Sequence, residues 1–164
     1  MKTLFLLRHA KSSWDDPNLP DFERPLNKRG LEAAPFMGKL MKERKIQPDI
    51  ILSSPAKRAA QTAELIKESA QLKANIVFDK EIYEASSLKL LFILSNIEDK
   101  YSSVLLVGHN PGMEELLRIL TGQNESMPTA ALAKVELEIS AWKDISENSG
   151  KLVFLIKPKE EMKS

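Results

Sequence analysis

The sequence predicts an α/β fold, a three-layer sandwich in which helices cover both faces of a mostly parallel central sheet with an antiparallel edge. Three observations lead to this prediction. Short uninterrupted apolar runs recur along the chain, and such runs are typical of strands buried on both faces. Segments with helical apolar spacing separate these runs. The last two predicted strands follow each other directly, which indicates an antiparallel pair.

Six strands are predicted. Four are continuous apolar runs that we expect to be covered on both faces: residues 4–7, 49–52, 76–78 and 104–107. The run 133–139 alternates apolar and polar residues instead, so one of its faces should contact solvent. A Ser149-Gly150 turn separates it from the run 152–156, which predicts an antiparallel hairpin at or near a sheet edge.

Helices fill the connections between the strands. The four predicted helices span residues 27–43, 55–72, 87–94 and 111–121. The first has apolar residues such as Leu31 at helical spacing and contains Pro35, which should kink or split it because proline lacks a backbone donor. Ser54 and Asn110 are the predicted N-caps of the second and fourth helices, and Gly122 follows the end of the fourth.

Composition and charge exclude several classes of protein. The 164 residues fit a single domain spanning 1–164, with 43% hydrophobic and 29% charged residues. A net charge of +1 argues against a general nucleic-acid-binding surface, and the absence of cysteine excludes disulfides and thiol chemistry. The sequence has neither a membrane-length apolar run nor a signal-peptide pattern, so we expect a soluble cytoplasmic protein. A monomer is expected because no heptad pattern is present.

The chain has only two histidines, and both directly follow a predicted buried strand. His9 ends the stretch LFLLRH, and His109 ends VLLVGH. Ligands of open parallel sheets bind at the carboxyl ends of the strands. Two unrelated loop histidines are the alternative, but the shared placement of both favours one common site.

Arginines accompany these strand ends. Arg8 precedes His9, and Arg58 lies in the first turn of the second predicted helix, where the helix dipole disfavours cations. Lys28 and Arg29 break the same preference at the first helix. A surface arginine is the simple explanation for Arg58. The other is an anion held by backbone N–H groups and guanidiniums together.

Phosphate fits this set of donors better than carboxylate, because its oxygens accept several hydrogen bonds and arginine presents a planar fork to two of them. The GxxxxGK[ST] loop of nucleotide-binding proteins is absent, and no histidine or carboxylate pattern predicts a metal site or another cofactor. For a protein without cysteine, metal or such a loop, the clearest route to phosphoryl transfer uses imidazole as the nucleophile.

Three motifs, taken in order, resemble the histidine phosphatase superfamily, whose fold is phosphoglycerate mutase-like. They are LLRHAKSSW near the start, SSPAKRAAQTA in the second quarter and VGHNP in the last third. The stretch DFERPLNKRG makes the chain most similar to the small SixA-type phosphohistidine phosphatases. The resemblance covers residues 4 to about 139.

The resemblance implies a role for each residue that matches a motif. His9 would be the nucleophile that receives the phosphoryl group. Arg8 and Arg58 would hold the phosphate oxygens, and His109 would donate a hydrogen bond to one of them. Arg24, in DFERPL, would help to line the pocket.

The resemblance leaves the general acid open. Larger members of the superfamily place a glutamate after the third strand, so Glu84 in the stretch IYE is the first candidate and Asp21 is the alternative. Either could instead be a solvated surface carboxylate. A phosphohistidine substrate needs the acid least, because solvent can protonate the departing nitrogen near neutral pH.

These expectations favour a metal-independent phosphatase that acts through a phosphohistidine intermediate on phosphohistidine in proteins. Its partner would be a phosphorylated protein or a small phosphorylated substrate, and neither nucleic acid nor a membrane. The short chain leaves no long insertion to close over the site, which suits a side chain presented by another protein. The alternatives are a phosphatase or mutase acting on sugar phosphates or other small phosphomonoesters, and a non-catalytic phosphate-binding module. Ser12, Ser13 and Trp14 could contact a substrate, although Trp14 could equally pack against the protein.

Overall fold

The computed structural model describes residues 1–162, so the last two residues of the predicted domain 1–164 lie outside it. Within these residues, six strands form one sheet: β1 Lys2–Arg8, β2 Ile50–Ser53, β3 Ile76–Phe78, β4 Ser103–Gly108, β5 Leu132–Leu137 and β6 Gly150–Ile156. The helices are α1 Lys28–Glu43, α2 Lys57–Ala70, α3 Ser87–Ser95, α4 Gly112–Thr121 and α5 Pro158–Glu161. None of these helices has both the length and the apolar composition that crossing a membrane requires.

The sheet confirms the predicted mixture of parallel and antiparallel strands. Its order is β3-β2-β4-β1-β5-β6. The first four strands in this order are parallel, whereas β5 is antiparallel to β1 and β6 is antiparallel to β5. The parallel strands therefore bring their carboxyl ends, and the loops that follow them, to one edge of the sheet.

Helices cover both faces of the sheet, as predicted for a three-layer sandwich. Leu4 and Leu6 of β1 pack on the face that α3 and α4 cover, whereas Phe5 and Leu7 pack on the face that α1 and α2 cover. Successive side chains of a strand point to opposite faces, so β1 is buried on both. The same holds for β4, and this burial explains why both strands are continuously apolar.

Strand β3 has the predicted bounds but not the predicted burial. The sequence predicts a strand covered on both faces, yet β3 lies at the edge of the sheet and pairs with β2 alone, and Val77 and Phe78 are exposed. An apolar run of three residues is too short for its pattern to separate an edge strand from a central one.

The predicted split of the first helix does not occur, because Pro35 lies inside one continuous helix, α1. Helix α1 packs very closely along α2, and a Cβ atom at Gly38 would lie only 2.8 Å from the Cβ of Ser69. We attribute the continuity of α1 to this packing on both sides of Pro35, which offsets the one backbone donor that proline lacks.

Both predicted N-caps are wrong. The N-cap of α2 is Ala56 rather than Ser54, and the N-cap of α4 is Pro111 rather than Asn110. In both cases a proline directly follows the predicted cap, and the helix begins later. The Ser54 and Asn110 side chains form tertiary hydrogen bonds at the carboxyl edge of the sheet instead, with His109 and with the Met127 carbonyl.

Truncating Met37 should destabilise the fold by about 2–5 kcal/mol, because its fully buried side chain would leave a cavity between α1 and the sheet. Leu31→Ala on the same helix is the matched control for Met37→Ala. The Leu31 side chain is 49% exposed, so its loss should change the free energy of unfolding by no more than about 0.5 kcal/mol. Urea unfolding followed by circular dichroism measures both, and equal midpoints would contradict the assigned core.

Candidate active site

Pairing of β1 with β4 brings the two histidines together. Arg8 at the end of β1 is in register with Gly108 at the end of β4, and the backbone N–H of His9 donates to the Gly108 carbonyl at 3.0 Å. The next residue of each strand is a histidine. The ring centroids of His9 and His109 lie 5.0 Å apart, and both side chains are buried. The structure therefore unites the two histidines that the sequence singles out.

The His9 ring is held in one tautomer. Its Nδ1 lies 2.7 Å from the Ala10 carbonyl oxygen, which can only accept, so Nδ1 carries the proton and Nε2 keeps its lone pair. The Ala10 N–H in turn donates to Thr62 Oγ1 at 2.9 Å. Burial, together with the charges of nearby arginines, lowers the pKa of His9 to about 4. The ring is therefore neutral near pH 7.

The His109 ring is neutral as well. Its Nε2 lies 2.8 Å from the Ser54 hydroxyl oxygen, and Tyr83 packs edge-on against the ring with centroids 5.5 Å apart. Burial lowers the pKa of His109 to about 3, and the neighbouring His9 and Arg58 act in the same direction. Two uncharged imidazoles therefore face each other at the carboxyl ends of adjacent strands.

Three arginines place positive charge around His9. The charges of Arg58, Arg8 and Arg24 all act on its ring. Arg58 donates to the backbone carbonyl of Asp21 at 2.7 Å and to its carboxylate at 2.9 Å, and Arg24 donates to the other carboxylate oxygen at 2.9 Å. Asp21 therefore holds the guanidiniums of Arg24 and Arg58 in place. Fixed cations around neutral imidazoles suit a multivalent oxyanion such as phosphate.

Arg8 is held by the segment between α4 and β5. Its Nη1 donates to the Met127 carbonyl at 3.1 Å, and Asn110 donates to the same carbonyl at 2.9 Å. The Glu114 carboxylate accepts from the Asn110 side chain at 2.9 Å and from the Met127 N–H at 3.1 Å. Burial lowers the pKa of the Arg8 guanidinium, whereas Glu114 opposes this shift. Glu114 thus supports the cation at the end of β1.

Buried atoms without hydrogen-bond partners concentrate at this edge of the sheet. Within residues 1–162 there are three such side-chain atoms: Nε of Arg8, Nδ1 of His109 and Oδ1 of Asn110. A buried polar atom without a partner costs free energy. Such atoms are typical of functional sites, where side chains are arranged for binding or chemistry at some cost in stability.

Asp21, the alternative acid, holds the arginines and is poorly suited to give up a proton. Besides Arg24 and Arg58, its carboxylate accepts from the Tyr83 hydroxyl at 2.6 Å. The Tyr83 hydrogen bond, followed by those of the two guanidiniums, holds the pKa of Asp21 well below its usual range. A carboxyl group that stays ionised has no proton for a leaving group. The geometry does not support the acid role considered for Asp21.

Glu84, the first candidate acid, lies at the rim of the site. Its side chain is exposed, and its backbone adopts the left-handed conformation with φ 55°, which a non-glycine residue adopts at a cost. Burial, Asp21 and Glu84 together raise the pKa of Tyr83. The Ala85 carbonyl abuts Gly112, where an added Cβ would approach it to 2.3 Å. This close contact fixes the loop that carries Glu84 beside the start of α4.

Five polar residues of the site are not identified as site residues from the sequence: Ser54, Thr62, Tyr83, Asn110 and Glu114. Tyr83 links Asp21 to His109, and its only sequence signal is its place next to Glu84 in IYE. Ser54 resembles a helix cap because a proline follows it. Thr62 has a sequence signal, because it lies four residues after Arg58 in the same predicted helix and therefore on the same face. In the structure, its hydroxyl donates to the Arg58 carbonyl at 2.7 Å.

Comparisons with known proteins agree with this geometry. The histidine phosphatase superfamily (branch 1) matches residues 4–90. An uncharacterised chloroplast protein of Arabidopsis thaliana is 32% identical over 96% of this chain and 78% of that protein. The phosphohistidine phosphatase SixA of Escherichia coli K12 is 26% identical over 84% of this chain and 86% of SixA.

A solved structure matches nearly the whole chain. The crystal structure of an Agrobacterium tumefaciens protein, provisionally assigned as the phosphohistidine phosphatase SixA, superposes with a TM-score of 0.83. The two sequences are 32% identical, and the match covers 96% of this chain and 98% of that one.

Both histidines should titrate far below an ordinary imidazole. We expect pKa values of about 4 for His9 and about 3 for His109, against 6.5 for an unfolded chain. Between pH 6.5 and 4 the unfolded chain binds protons that the folded chain does not, so the free energy of unfolding should fall as the pH drops through this window. NMR titration of the ring protons, assigned with His9→Gln, measures both values. A ring that titrates near 6.5 would contradict the buried pair.

Proposed function

This chain belongs to the histidine phosphatase superfamily and is a phosphatase, and from this premise we propose that it hydrolyses phosphohistidine in proteins through a phosphorylated His9, without a metal ion. The proposal rests on the tautomer and the charge of the His9 ring. Its proton is fixed on Nδ1 by the Ala10 carbonyl, and its low pKa keeps the Nε2 lone pair available. A nucleophile requires that lone pair.

In the first step, Nε2 of His9 bonds to phosphorus while the bond from phosphorus to the leaving group breaks. The Nδ1–H retains its hydrogen bond to the Ala10 carbonyl, which stabilises the positive charge that the ring gains. Arg8 and Arg58 hold the phosphate oxygens. Preorganised donors of this kind are worth about 10²–10³-fold in rate each.

In the second step, water attacks the phosphorus of phosphorylated His9. Phosphate leaves, the water gives its proton to solvent, and Nε2 regains its lone pair. The transition state of phosphoryl transfer is loose, so fixed cations contribute more than additional covalent chemistry. Asp21 supports both steps by holding the Arg24 and Arg58 guanidiniums in place.

The leaving group separates the possible substrates. When a phosphohistidine substrate passes its phosphoryl group to His9, its histidine side chain departs as neutral imidazole once the ring is protonated. Solvent can supply that proton near neutral pH, whereas an alkoxide leaving group needs a positioned acid. Asp21 is held ionised, and Glu84 is exposed at the rim. Because neither carboxyl group is well suited to protonate a leaving group, phosphohistidine is the favoured substrate. The names of the Escherichia coli relative and of the Agrobacterium structure support the same choice.

A phosphatase for small phosphomonoesters is the second candidate, and Glu84 is the observation that favours it. Glu84 acts on the Tyr83 hydroxyl, and in this candidate function its carboxyl group would protonate the oxygen of an alkyl or aryl leaving group. The two candidates share His9 and the arginines, and they differ in whether Glu84 is needed.

His9→Ala should abolish turnover of a chromogenic aryl phosphate that the wild type hydrolyses in excess chelator. A radiolabelled donor, quenched during turnover, should leave acid-labile phosphate on His9. Arg58→Ala should lower kcat/KM by about 10²–10³-fold, and Lys57→Ala, its exposed neighbour on α2, should change kcat/KM by no more than about twofold. Label on another residue, or activity lost on chelation, would contradict the mechanism.

Glu84→Gln should separate the two substrate classes. We expect it to lower hydrolysis of a phosphoserine peptide by about 10²-fold relative to a phosphohistidine peptide, because only the serine alkoxide needs an acid. Glu81→Gln is the matched control, since the Glu81 carboxylate lies three residues earlier and pairs with Lys89 at 2.9 Å. A wild-type enzyme that hydrolyses phosphoserine faster than phosphohistidine would argue for the second candidate.

A further inference from the structure

One of the two tryptophans lies almost entirely in solvent. Trp14 is 77% exposed, whereas Trp142 is completely buried. An indole ring in water forgoes the burial that usually stabilises large aromatic side chains, and exposed tryptophans are enriched where proteins bind partners. Trp14 therefore needs an explanation beyond the packing of the core.

One face of the Trp14 ring is already occupied. The Arg24 guanidinium carbon lies 3.2 Å from the ring centroid, which is a stacked cation–π contact. Arg24 is itself buried, and it donates to the Ser13 carbonyl at 3.0 Å and to Asp21 at 2.9 Å. Since so much of the ring is exposed, the face opposite Arg24 is open to solvent.

A short series of contacts connects Trp14 to the catalytic histidines. Arg24, under the indole, binds the same carboxylate as Arg58 and Tyr83, and Tyr83 packs against His109. The charge of Arg24 also acts on His9 directly. Trp14 therefore stacks on a residue that belongs to the hydrogen-bond network around the two histidines, and a polypeptide that presents a phosphorylated side chain to His9 would pass close to it.

The two residues that follow Trp14 are acidic and add negative charge to this surface. Asp15 and Asp16 are exposed, and within residues 1–162 neither forms an ion pair. The Ser13 hydroxyl accepts from the Asp15 N–H at 3.0 Å, and Asp16 accepts from the Asn18 N–H at 3.0 Å, so the loop is locally ordered. An exposed indole followed in the chain by two carboxylates that form no ion pair within residues 1–162 matches a cationic side chain.

We propose that the open face of Trp14 docks the polypeptide segment that carries the phosphohistidine, and that it binds a lysine or arginine of that segment. The proposal rests on the proposed function and adds to it the surface that recognises the protein substrate. Trp14 stays outside the chemistry, so it contributes to substrate affinity rather than to the catalytic step.

The test uses three substrates with the same leaving group: a phosphohistidine peptide flanked by lysines, the same peptide flanked by glutamates, and free phosphohistidine. The wild type should favour the lysine-flanked peptide over the glutamate-flanked one by about tenfold in kcat/KM. Trp14→Ala should raise KM for the lysine-flanked peptide about tenfold with little change in kcat. The ratio of kcat/KM for this peptide to that for free phosphohistidine should fall about tenfold.

Two further variants identify the cause of any change. Val153→Ala removes an exposed apolar side chain from β6, at the opposite edge of the sheet from β3, and should keep the wild-type ratio. Trp14→Phe keeps an aromatic ring over Arg24 and should restore part of the peptide preference. If Trp14 merely holds Arg24 in place, Trp14→Ala will lower kcat equally for all three substrates, which would overturn the proposal.

A wild type that does not distinguish the two peptides would also overturn the docking proposal. Failure of the proposed function is a separate result, because it would appear as a wild type that hydrolyses none of the three substrates. Turnover of free phosphohistidine without a flank preference leaves the proposed function standing and removes only the role of Trp14.

Discussion

The register between β1 and β4 is the constraint on which the rest of this site depends. A slip of one residue would move one histidine about 3.3 Å along its strand and turn it to the other face of the sheet. The register is held by the core, since alternate residues of β1 pack into two separate apolar clusters on the two faces. The burial of Leu4 and Leu6 against α3 and α4 therefore determines where His9 stands relative to His109. The apolar packing in the middle of β1 and β4 therefore also sets the distance between the two histidines at their ends.

The second physical feature of the site is the balance between neutral imidazoles and fixed cations. Burial among guanidiniums keeps both rings unprotonated, and the proposed nucleophilic attack requires a neutral His9. The guanidiniums of Arg24 and Arg58 would repel each other if nothing lay between them, and the Asp21 carboxylate binds both. One acidic side chain thus holds two cations where an anion will need them. The same contacts keep Asp21 ionised, so the residue that holds the arginines of the proposed phosphate site is poorly suited to act as its acid.

The extent to which the sequence predicts the structure depends on how local each signal is. Continuous apolar runs identify the central strands because burial on both faces leaves no polar positions, as in β1 and β4. The same pattern predicts the bounds of β3 but not its exposure, because a run of three apolar residues does not show that the strand has a neighbour on one side only. Ser54 satisfies the local rules of a helix cap, yet its hydroxyl lies beside His109, 55 residues away in the chain. Tyr83 carries no motif at all, and only the folded chain places it between Asp21 and His109.

The sequence by itself determined the α/β architecture, the two strand ends that carry histidines, and the arginines that accompany them. These features follow from periodicity and from residue types at strand and helix ends, which act over a few residues. Only the tertiary structure decided the tautomer and charge of the rings, the function of Asp21 as an anchor, and the exposure of Trp14 over Arg24. Each of these depends on a distance or on burial between segments far apart in the chain. Hydrogen bonds and desolvation, which determine such properties, exist only once those segments have packed together.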